Sequence, residues 1–220
     1  MTIHVLRSTC VCWTPLYQTL LELEPAVELI DTQDLLTIRS EDVLVLPGVG
    51  NMKEFSNNVG ATVGLEKLAA KIRSSNVRIL AICLGFQFLC TRSEEGGGAM
   101  GLALLDYSVE QLCQPRKSNI GWGNVDIEFG NIDRIDSSIR QTLLENAFYY
   151  SHSFGIINSD LVVKCDASAF ACRFGERSFI SAYVSDRIVG FQFHPEKSGN
   201  AGRVLLSKTL NFLRGRINVK

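Results

Sequence analysis

The chain has 220 residues, with 22 Lys and Arg against 23 Asp and Glu and a net charge of −1. This length suffices for one sizeable core, and the absence of a basic excess argues against binding to nucleic acid or an anionic membrane surface. The seven cysteines are odd in number and unevenly spaced, as is typical of reduced thiols. No apolar stretch approaches the roughly 18 residues of a membrane span, and no signal peptide is evident. We therefore expect a soluble, cytoplasmic protein.

The chain up to residue 90 predicts alternating strands and helices. Helical spacing of apolar residues predicts one helix after Thr14-Pro15, with Thr14 as N-cap, and a second over residues 65–72. Unbroken apolar runs predict strands at residues 3–6, 26–30, 43–46 and 78–82. This order predicts an α/β fold with a mostly parallel open sheet and helices on both faces.

The second part of the chain predicts shorter strands. Alternating apolar and acidic residues at 125–129 indicate an antiparallel layer with one solvated face, and Ser138 with Gln141 has the spacing of a helix capping box. A glycine-rich loop is predicted at residues 93–98, further strands at 148–151, 161–164, 179–184 and 188–193, and a closing helix at 201–213. No linker is evident, so we expect a single domain over residues 1–220.

The stretch around Cys83 has the features of a catalytic turn. Cys83 follows the strand predicted at residues 78–82, and apolar residues at 86, 88 and 89 predict a helix that begins at once. Gly85 permits close backbone approach, as in a nucleophile elbow with Cys in place of Ser. The positive end of a helix favours a thiolate, and the N–H of Leu84 is placed to stabilise an oxyanion. The alternative is a buried core cysteine that ends an ordinary strand.

A cysteine nucleophile needs a base, and the chain has three histidines, His4, His152 and His194. His194 follows the last predicted strand, where Pro195 ends the ladder, and open α/β sheets place their sites at the carboxyl ends of strands. Glu196 lies two residues on and can orient the imidazole as the third member of a triad. The alternative is a surface turn with a solvated charge. His4 begins a buried strand, which favours a structural role.

A metal site built on Cys10, Cys12 and His4 is disfavoured. Further ligands are not evident, and a single residue between two cysteines is unusual for zinc. The sequence therefore predicts neither a metal ion nor a cofactor.

Five motifs in order resemble those of the class I, triad-type glutamine amidotransferases. The match extends from about residue 42 to the C-terminus and is most similar to the glutaminase subunits of imidazole glycerol phosphate synthases. The motifs are Pro47-Gly-Val-Gly50, Ile82-Cys-Leu-Gly-Phe-Gln87, Ser93-Glu-Glu-Gly-Gly97, Gly121-Trp122 and Gly190-Phe-Gln-Phe-His-Pro-Glu-Lys-Ser198. The resemblance implies that family's flavodoxin-like fold and the hydrolysis of L-glutamine to L-glutamate and ammonia.

The resemblance also implies a role for each group. Cys83 would attack the amide carbon to give a glutamyl thioester, His194 would move the protons, and Glu196 would orient His194. The N–H groups of Leu84 and of the Val49-Gly50 turn would form the oxyanion hole. The positions that match glutamine contacts are Gln87, Glu94, which would hold the substrate ammonium group, and His152 and Ser153 in the pocket segment. The alternatives are a helix-surface amide for Gln87 and a loop charge for Glu94.

Members of this family work docked on a synthase. For the subunits that the chain most resembles, the partner is a (β/α)8-barrel cyclase, which uses the ammonia to make imidazole glycerol phosphate and AICAR in histidine biosynthesis. Trp122 matches a position near that interface, where large aromatics are frequent anchors; a core Trp is the alternative. The resemblance implies a heterodimer whose isolated glutaminase is weak until its partner activates it.

The chain also departs from the family pattern. Residues 7–13 stand where an Asp-Tyr-Gly-type, Asn-containing loop is usual, and Asn51-Met52 replaces a small-then-aromatic pair. These changes leave the triad intact but bear on the partner, so an alternative client is an enzyme that amidinates a surface-polysaccharide sugar. Two alternatives from other classes are a cysteine peptidase or γ-glutamyl hydrolase, and a non-catalytic scaffold. The intact set Cys83, His194 and Glu196 argues against the scaffold.

Overall fold

An eight-stranded mixed sheet forms the centre of the computed structural model, which describes residues 1–112, 118–131, 135–157 and 167–215. Numbered in chain order, its strands lie side by side as β11 (Ile127–Gly130), β14 (Ala167–Phe174), β15 (Arg177–Ser185), β16 (Ile188–Phe191), β6 (Arg78–Ile82), β4 (Val43–Leu46), β1 (Ile3–Arg7) and β3 (Val27–Asp31). The last five of these are mutually parallel, and the first three extend one edge in antiparallel fashion. The predicted mostly parallel α/β sheet is confirmed.

The central strands are buried on both faces. Successive side chains of a strand point to opposite sides of the sheet. Accordingly, Val43 and Val45 of β4 pack into one hydrophobic core, and Leu44 and Leu46 pack into the other. A continuous apolar run is the composition that such a doubly covered strand requires.

Helices cover both faces, as predicted. Within the described residues, one core contains side chains of α1 (Thr14–Leu23), α5 (Ser137–Glu145) and α6 (Gly199–Leu213). The opposite core contains side chains of α2 (Met52–Thr62), α3 (Leu65–Ser74) and the short α4 (Leu84–Phe88). Apolar residues four apart, such as Leu16 and Leu20 on α1 or Leu68 and Ile72 on α3, supply the buried stripe of each helix.

Shorter strands form three small sheets beside the central one. They are β2 (Val11–Cys12) with β5 (Val49–Gly50), β10 (Asn119–Asn124) with β12 (Ala147–His152), and a four-stranded sheet of β7 (Arg92–Ser93), β8 (Ala99–Met100), β9 (Ser108–Gln111) and β13 (Phe154–Gly155). Because β2 follows β1 and β5 follows β4, the two-residue ribbon lies at the carboxyl ends of parallel strands. That is the sheet edge at which the sequence predicts the site.

The parallel strands β4 and β6 were predicted better than the first of the two helices between them. The strands predicted at residues 43–46 and 78–82 coincide with β4 and β6. Helix α2 was not predicted; its N-cap Asn51 accepts hydrogen bonds from the N–H groups of Lys53 and Glu54. Strand β14 was also missed, and the strand predicted at residues 161–164 lies outside the described residues.

Three predicted boundaries were wrong. Helix α5 begins after Asp136, whose carboxylate accepts the Ser138 N–H at 2.9 Å, so Ser138 lies inside the helix rather than capping it. Helix α1 is preceded by Trp13, and Thr14 is its first residue. Strand β16 ends at Phe191, two residues early, because the chain leaves the sheet there to reach the site.

Candidate active site

Cys83 occupies a strained turn between β6 and α4. Its φ of 45° lies in the left-handed region, which is rare for a residue with a Cβ and is found where the surrounding structure enforces it. The Cys83 N–H donates to the Phe191 carbonyl at 2.6 Å. A Cβ at Gly85 would lie 2.4 Å from the Leu46 carbonyl oxygen, and one at Gly48 would lie 2.4 Å from that of Ile82. The glycines therefore allow neighbouring backbone to hold the turn.

His194 reaches the same turn from the other side. Its N–H donates to the Tyr149 carbonyl at 2.8 Å, which ties the residue to β12 after β16 has ended. Pro195 to Lys197 form one 3₁₀ turn, and this turn brings the Glu196 carboxylate back to the ring. The distance from His194 Nδ1 to Glu196 Oε1 is 2.7 Å, so Nδ1–H donates to the carboxylate, which leaves Nε2 for the interaction of the ring with Cys83.

The electrostatics of this group favour a protonated His194. Its side chain is 1% exposed, and burial lowers the pKa of His194, but the hydrogen bonds and charges of Cys83 and Glu196 raise that pKa to about 9. The second carboxylate oxygen of Glu196 is buried and has no hydrogen-bond partner among the described residues. The carboxylate charge is therefore balanced by His194, which favours the imidazolium form of that ring.

Cys83 and His194 line one cavity of about 250 Å³. The cavity is also lined by residues 48–50 and 151–154 and by Gln87 and Lys197. The cavity is smaller than the roughly 300–1,000 Å³ of sites for drug-sized ligands. Its size and its mixed polar lining suit a small polar molecule.

Two buried side-chain amides, those of Gln87 and Gln192, connect the Cys83 sulfur to the Phe154 carbonyl. Gln87 Nε2 donates to the Phe154 carbonyl at 2.7 Å and to Gln192 Oε1 at 3.2 Å. Gln192 Nε2 in turn lies 3.5 Å from Cys83 Sγ. Gln87 is a buried cavity residue and not a helix-surface amide. Gln192 lies in an apolar run that resembles a plain strand, so its local sequence does not indicate this contact.

Glu94, which the family resemblance assigns to the substrate ammonium group, is directed elsewhere. Its carboxylate accepts the Gln111 N–H at 3.1 Å, at β9. The next residue, Glu95, lines the cavity instead and accepts the Met52 N–H at 3.3 Å at the start of α2. Burial raises the pKa of Glu95, and the bond from Met52 opposes that shift. Of the two adjacent carboxylates it is therefore Glu95, and not Glu94, that lines the cavity, and the ammonium contact stays a prediction.

His152 and Ser153 lie in the cavity wall. His152 Nδ1 donates to the Phe154 carbonyl at 2.8 Å, and Nε2 accepts from Asn119 Nδ2 at 3.2 Å. Both ring nitrogens are thus engaged, and burial lowers the pKa of His152 to about 4. His152 is a neutral residue that supports the wall and does not compete with His194 as the base.

The backbone donors predicted for an oxyanion hole do not converge in this structure. The Leu84 N–H donates to the Gly48 carbonyl at 3.2 Å and is therefore not free to bind an oxyanion. Val49 and Gly50 are exposed and pair with Cys12 and Val11 in the two-residue ribbon. The turn over the sulfur is therefore in a closed arrangement, with its key N–H already satisfied.

An exposed apolar surface lies next to the cavity. Trp122 is 61% exposed and packs edge-to-face on Tyr149 with ring centroids 6.1 Å apart, so the alternative of a core Trp is excluded. Ile120 is 67% exposed on the same side of β10. Strand β10 pairs with β12, whose last residues line the cavity, and this surface therefore adjoins the site.

Other predicted features can be placed as well. His4 lies 3.5 Å from Asp42 and 3.8 Å from Glu28, which fits a structural role. The described part of the chain contains no group of three or more His, Cys, Asp or Glu arranged to hold a metal ion. Among the same residues, no helix has the length and apolarity needed to cross a membrane.

Comparison with known proteins gives a consistent result. The family model described as glutamine amidotransferase class-I matches residues 14–211. The chain is 33% identical over 199 residues to a protein of Parasynechococcus marenigrum named imidazole glycerol phosphate synthase subunit HisH 1, covering 86% of this chain and 91% of the relative. It is also 33% identical over 178 residues to imidazole glycerol phosphate synthase subunit HisH of Pasteurella multocida, covering 80% and 81%.

Solved structures agree on the fold. A glutamine amidotransferase from Thermotoga maritima has a TM-score of 0.55 and 17% identity, with 100% of this chain and 86% of that chain covered. Another crystal structure of a glutamine amidotransferase has a TM-score of 0.63 and 12% identity, with 98% and 100% covered. At such identities the likeness concerns the architecture alone.

Proposed function

The chain belongs to the class I glutamine amidotransferase family, and from that membership we propose that Cys83, His194 and Glu196 hydrolyse the side-chain amide of L-glutamine. The observation that supports this most strongly is that Cys83 and His194 line one small cavity while Glu196 accepts a hydrogen bond from His194. The acidic side chain of Glu95 in the cavity wall complements an ammonium group. A cavity of about 250 Å³ suits a free amino acid better than the extended peptide of a cysteine peptidase.

The chemistry follows from the geometry of the triad. The Cys83 thiolate attacks the amide carbon, and His194 then gives its Nε2 proton to the departing nitrogen as the C–N bond breaks. Ammonia leaves and a glutamyl thioester remains. Neutral His194 next takes a proton from water, whose oxygen attacks the thioester, and glutamate leaves as the thiolate re-forms. Glu196 holds the ring in the tautomer that both steps need.

The oxyanion hole requires a rearrangement of the turn above the sulfur. We assign its donors to the N–H groups of Leu84 and of the Val49-Gly50 turn. In the closed arrangement the Leu84 N–H is already hydrogen-bonded to the Gly48 carbonyl. Rotation of the Gly48–Val49 peptide frees the Leu84 N–H and turns the N–H of Val49 inward. One such donor is worth roughly a hundred- to a thousand-fold in turnover. Because the closed turn withholds these donors, we expect the chain to be only weakly active without a partner.

We place the client of the ammonia in histidine biosynthesis, as a barrel cyclase bound to this chain in a cytoplasmic heterodimer. The names of the relatives support this client. The exposed surface of Ile120 and Trp122 beside the cavity supports a docked partner, and the five described cysteines, all free, support a reducing compartment. The alternative client, an enzyme that amidinates a surface-polysaccharide sugar, rests on the unusual residues 7–13, since Val11 and Cys12 pair with the oxyanion turn.

The test is release of ammonia and glutamate from free glutamine by the purified chain, alone and with a histidine-pathway cyclase and its nucleotide substrate. We expect slow hydrolysis alone and an increase of at least a hundredfold in the complex. Cleavage of γ-glutamyl peptides without hydrolysis of glutamine would contradict the proposal. Full activity without a partner would contradict the gating by the closed turn, and copurification from the native cell would decide between the two clients.

A further inference from the structure

Gln192 is a buried polar residue whose side chain contacts the proposed nucleophile, Cys83. It follows the last residue of β16 and is fully buried, and its backbone N–H donates to the Ser181 carbonyl at 2.8 Å. Its side-chain nitrogen lies 3.5 Å from Cys83 Sγ, within the range of an N–H···S hydrogen bond. The triad chemistry set out above does not use this residue.

The direction of the hydrogen bonds fixes which end of Gln192 faces the sulfur. The Phe154 carbonyl can only accept, so the group of Gln87 that lies 2.7 Å from it is the amide nitrogen. That nitrogen has a second N–H, which is directed at Gln192 at 3.2 Å and requires an oxygen there. The amide nitrogen of Gln192 is therefore left to face Cys83, and the chain of bonds ends in a donor to sulfur.

We propose that Gln192 is a positioning residue for the nucleophile: its amide N–H donates to Cys83 Sγ, favours the thiolate over the thiol and connects the sulfur to Gln87 in the substrate cavity. The inference rests on the proposed function only in naming Cys83 the nucleophile. A thiolate accepts a hydrogen bond more strongly than a thiol does, so a fixed, buried donor stabilises the reactive form.

Gln192 differs in this respect from a residue that merely fills the core. If Gln192 had only a packing role, its replacement by a side chain of similar volume would leave the reactivity of the Cys83 sulfur unchanged. The charged and titratable groups that line the cavity with Cys83 are His194, Glu95 and Lys197, with the neutral His152, and all of them remain in a Gln192 variant. A change in sulfur reactivity in such a variant is therefore due to the amide.

The experiment measures alkylation of Cys83 by iodoacetamide between pH 5 and 10 in the full-length protein, with the modified peptides quantified by mass spectrometry. The exposed and free Cys12 is an internal reference for the reagent. In Gln192→Leu we expect the midpoint of the Cys83 pH profile to rise by about one unit, so that the Cys83 rate falls about tenfold at pH values below that midpoint, with Cys12 unchanged. The isosteric Gln192→Glu, which replaces the donor with an acidic oxygen, should shift the midpoint further.

The matched control is Thr209→Val, which removes a buried hydroxyl that has no hydrogen-bond partner among the described residues. This variant should leave the Cys83 profile unchanged, and urea unfolding establishes that each variant is folded. Unchanged Cys83 profiles in both folded Gln192 variants would overturn the proposal. If Gln192→Leu does not fold, Gln192→Glu alone decides.

Turnover separates this inference from the proposed function. Gln192→Leu should lower kcat for glutamine more than it raises KM, because the amide acts on the sulfur. A wild-type protein that does not hydrolyse glutamine but shows the predicted alkylation shifts would contradict the proposed function and keep the positioning role. A wild-type protein that hydrolyses glutamine, with unaltered Cys83 alkylation in the Gln192 variants, would keep the proposed function and contradict the positioning role.

Discussion

Gly190→Ala tests whether packing beneath the nucleophile turn determines both stability and activity. A Cβ at Gly190 on β16 would lie 2.1 Å from Phe86 Cδ2 on α4. Ordinary carbon contacts are about 3.5–4.0 Å, so the ring must move by about 1.5 Å. Phe86 is fully buried, and α4 has no room to retreat because Gly85 already lies against the Leu46 backbone. We expect a loss of about 2–3 kcal/mol in the free energy of unfolding.

The same shift should reduce activity beyond the loss of stability. Phe86 is three residues from Cys83, and a displacement of about 1 Å in a catalytic group can cost a hundredfold in rate. The assays are urea unfolding and glutamine hydrolysis at a temperature where the variant is folded. The control is Gly60→Ala within α2, where the new Cβ would meet Leu65 Cγ at an ordinary 3.7 Å and should stabilise the fold by about 0.5–1 kcal/mol. Wild-type stability and turnover in Gly190→Ala would refute this reasoning.

The geometry of the site supports four further predictions. Glu95→Gln should raise KM for glutamine at least tenfold in steady-state kinetics, whereas Glu94→Gln should leave KM within about twofold. The opposite ranking would favour Glu94 as the ammonium contact. Glu196→Gln should lower kcat by roughly ten- to a hundredfold, less than loss of the nucleophile, and an equal loss would make the carboxylate more than an orienting group. Trp122→Ala should weaken binding to the partner synthase at least tenfold by calorimetry while basal hydrolysis persists, and unchanged affinity would remove it from the interface. The pKa of His152 is lowered from 6.5 to about 4 in the fold, so its contribution to stability is complete above pH 6.5 and is lost toward pH 4. Urea unfolding at a series of pH values should show a smaller loss of stability with acid in His152→Gln than in the wild type. An unchanged dependence of the free energy of unfolding on pH would contradict a buried neutral His152.

The sequence predicted the parallel sheet best where burial alone determines structure. Strands β4 and β6 are apolar along almost their whole length, so their ends are marked by the change in composition that follows them. Helix α2 escaped prediction because Ser56 and Gly60 lie within it and weaken its periodicity, while its start depends on the side chain of Asn51. That cap is a local hydrogen bond that hydrophobic patterning does not detect.

The site shows a similar division. A strand end, a proline and a short spacing mark Cys83, His194 and Glu196 as candidates, and only the family motifs favour them over a core cysteine and a surface turn. Glu94 and Glu95 could not be separated, since which of two adjacent carboxylates enters the cavity depends on the backbone turn that follows at Gly96, whose φ is 65°. The role of Gln192 depends on Gln87, which is 105 residues away in sequence, and no local pattern contains that contact.

The central claim is that glutamine is processed at the Cys83 sulfur with His194 as its acid and base. The most direct measurement is covalent labelling by a glutamine analogue that carries an electrophilic carbon in place of the amide, with the labelled peptide identified by mass spectrometry. We predict one label per chain, on Cys83, with protection by glutamine and a large loss of labelling rate in His194→Asn. A label on any other residue, or glutamine hydrolysis that persists in Cys83→Ala, would contradict the account.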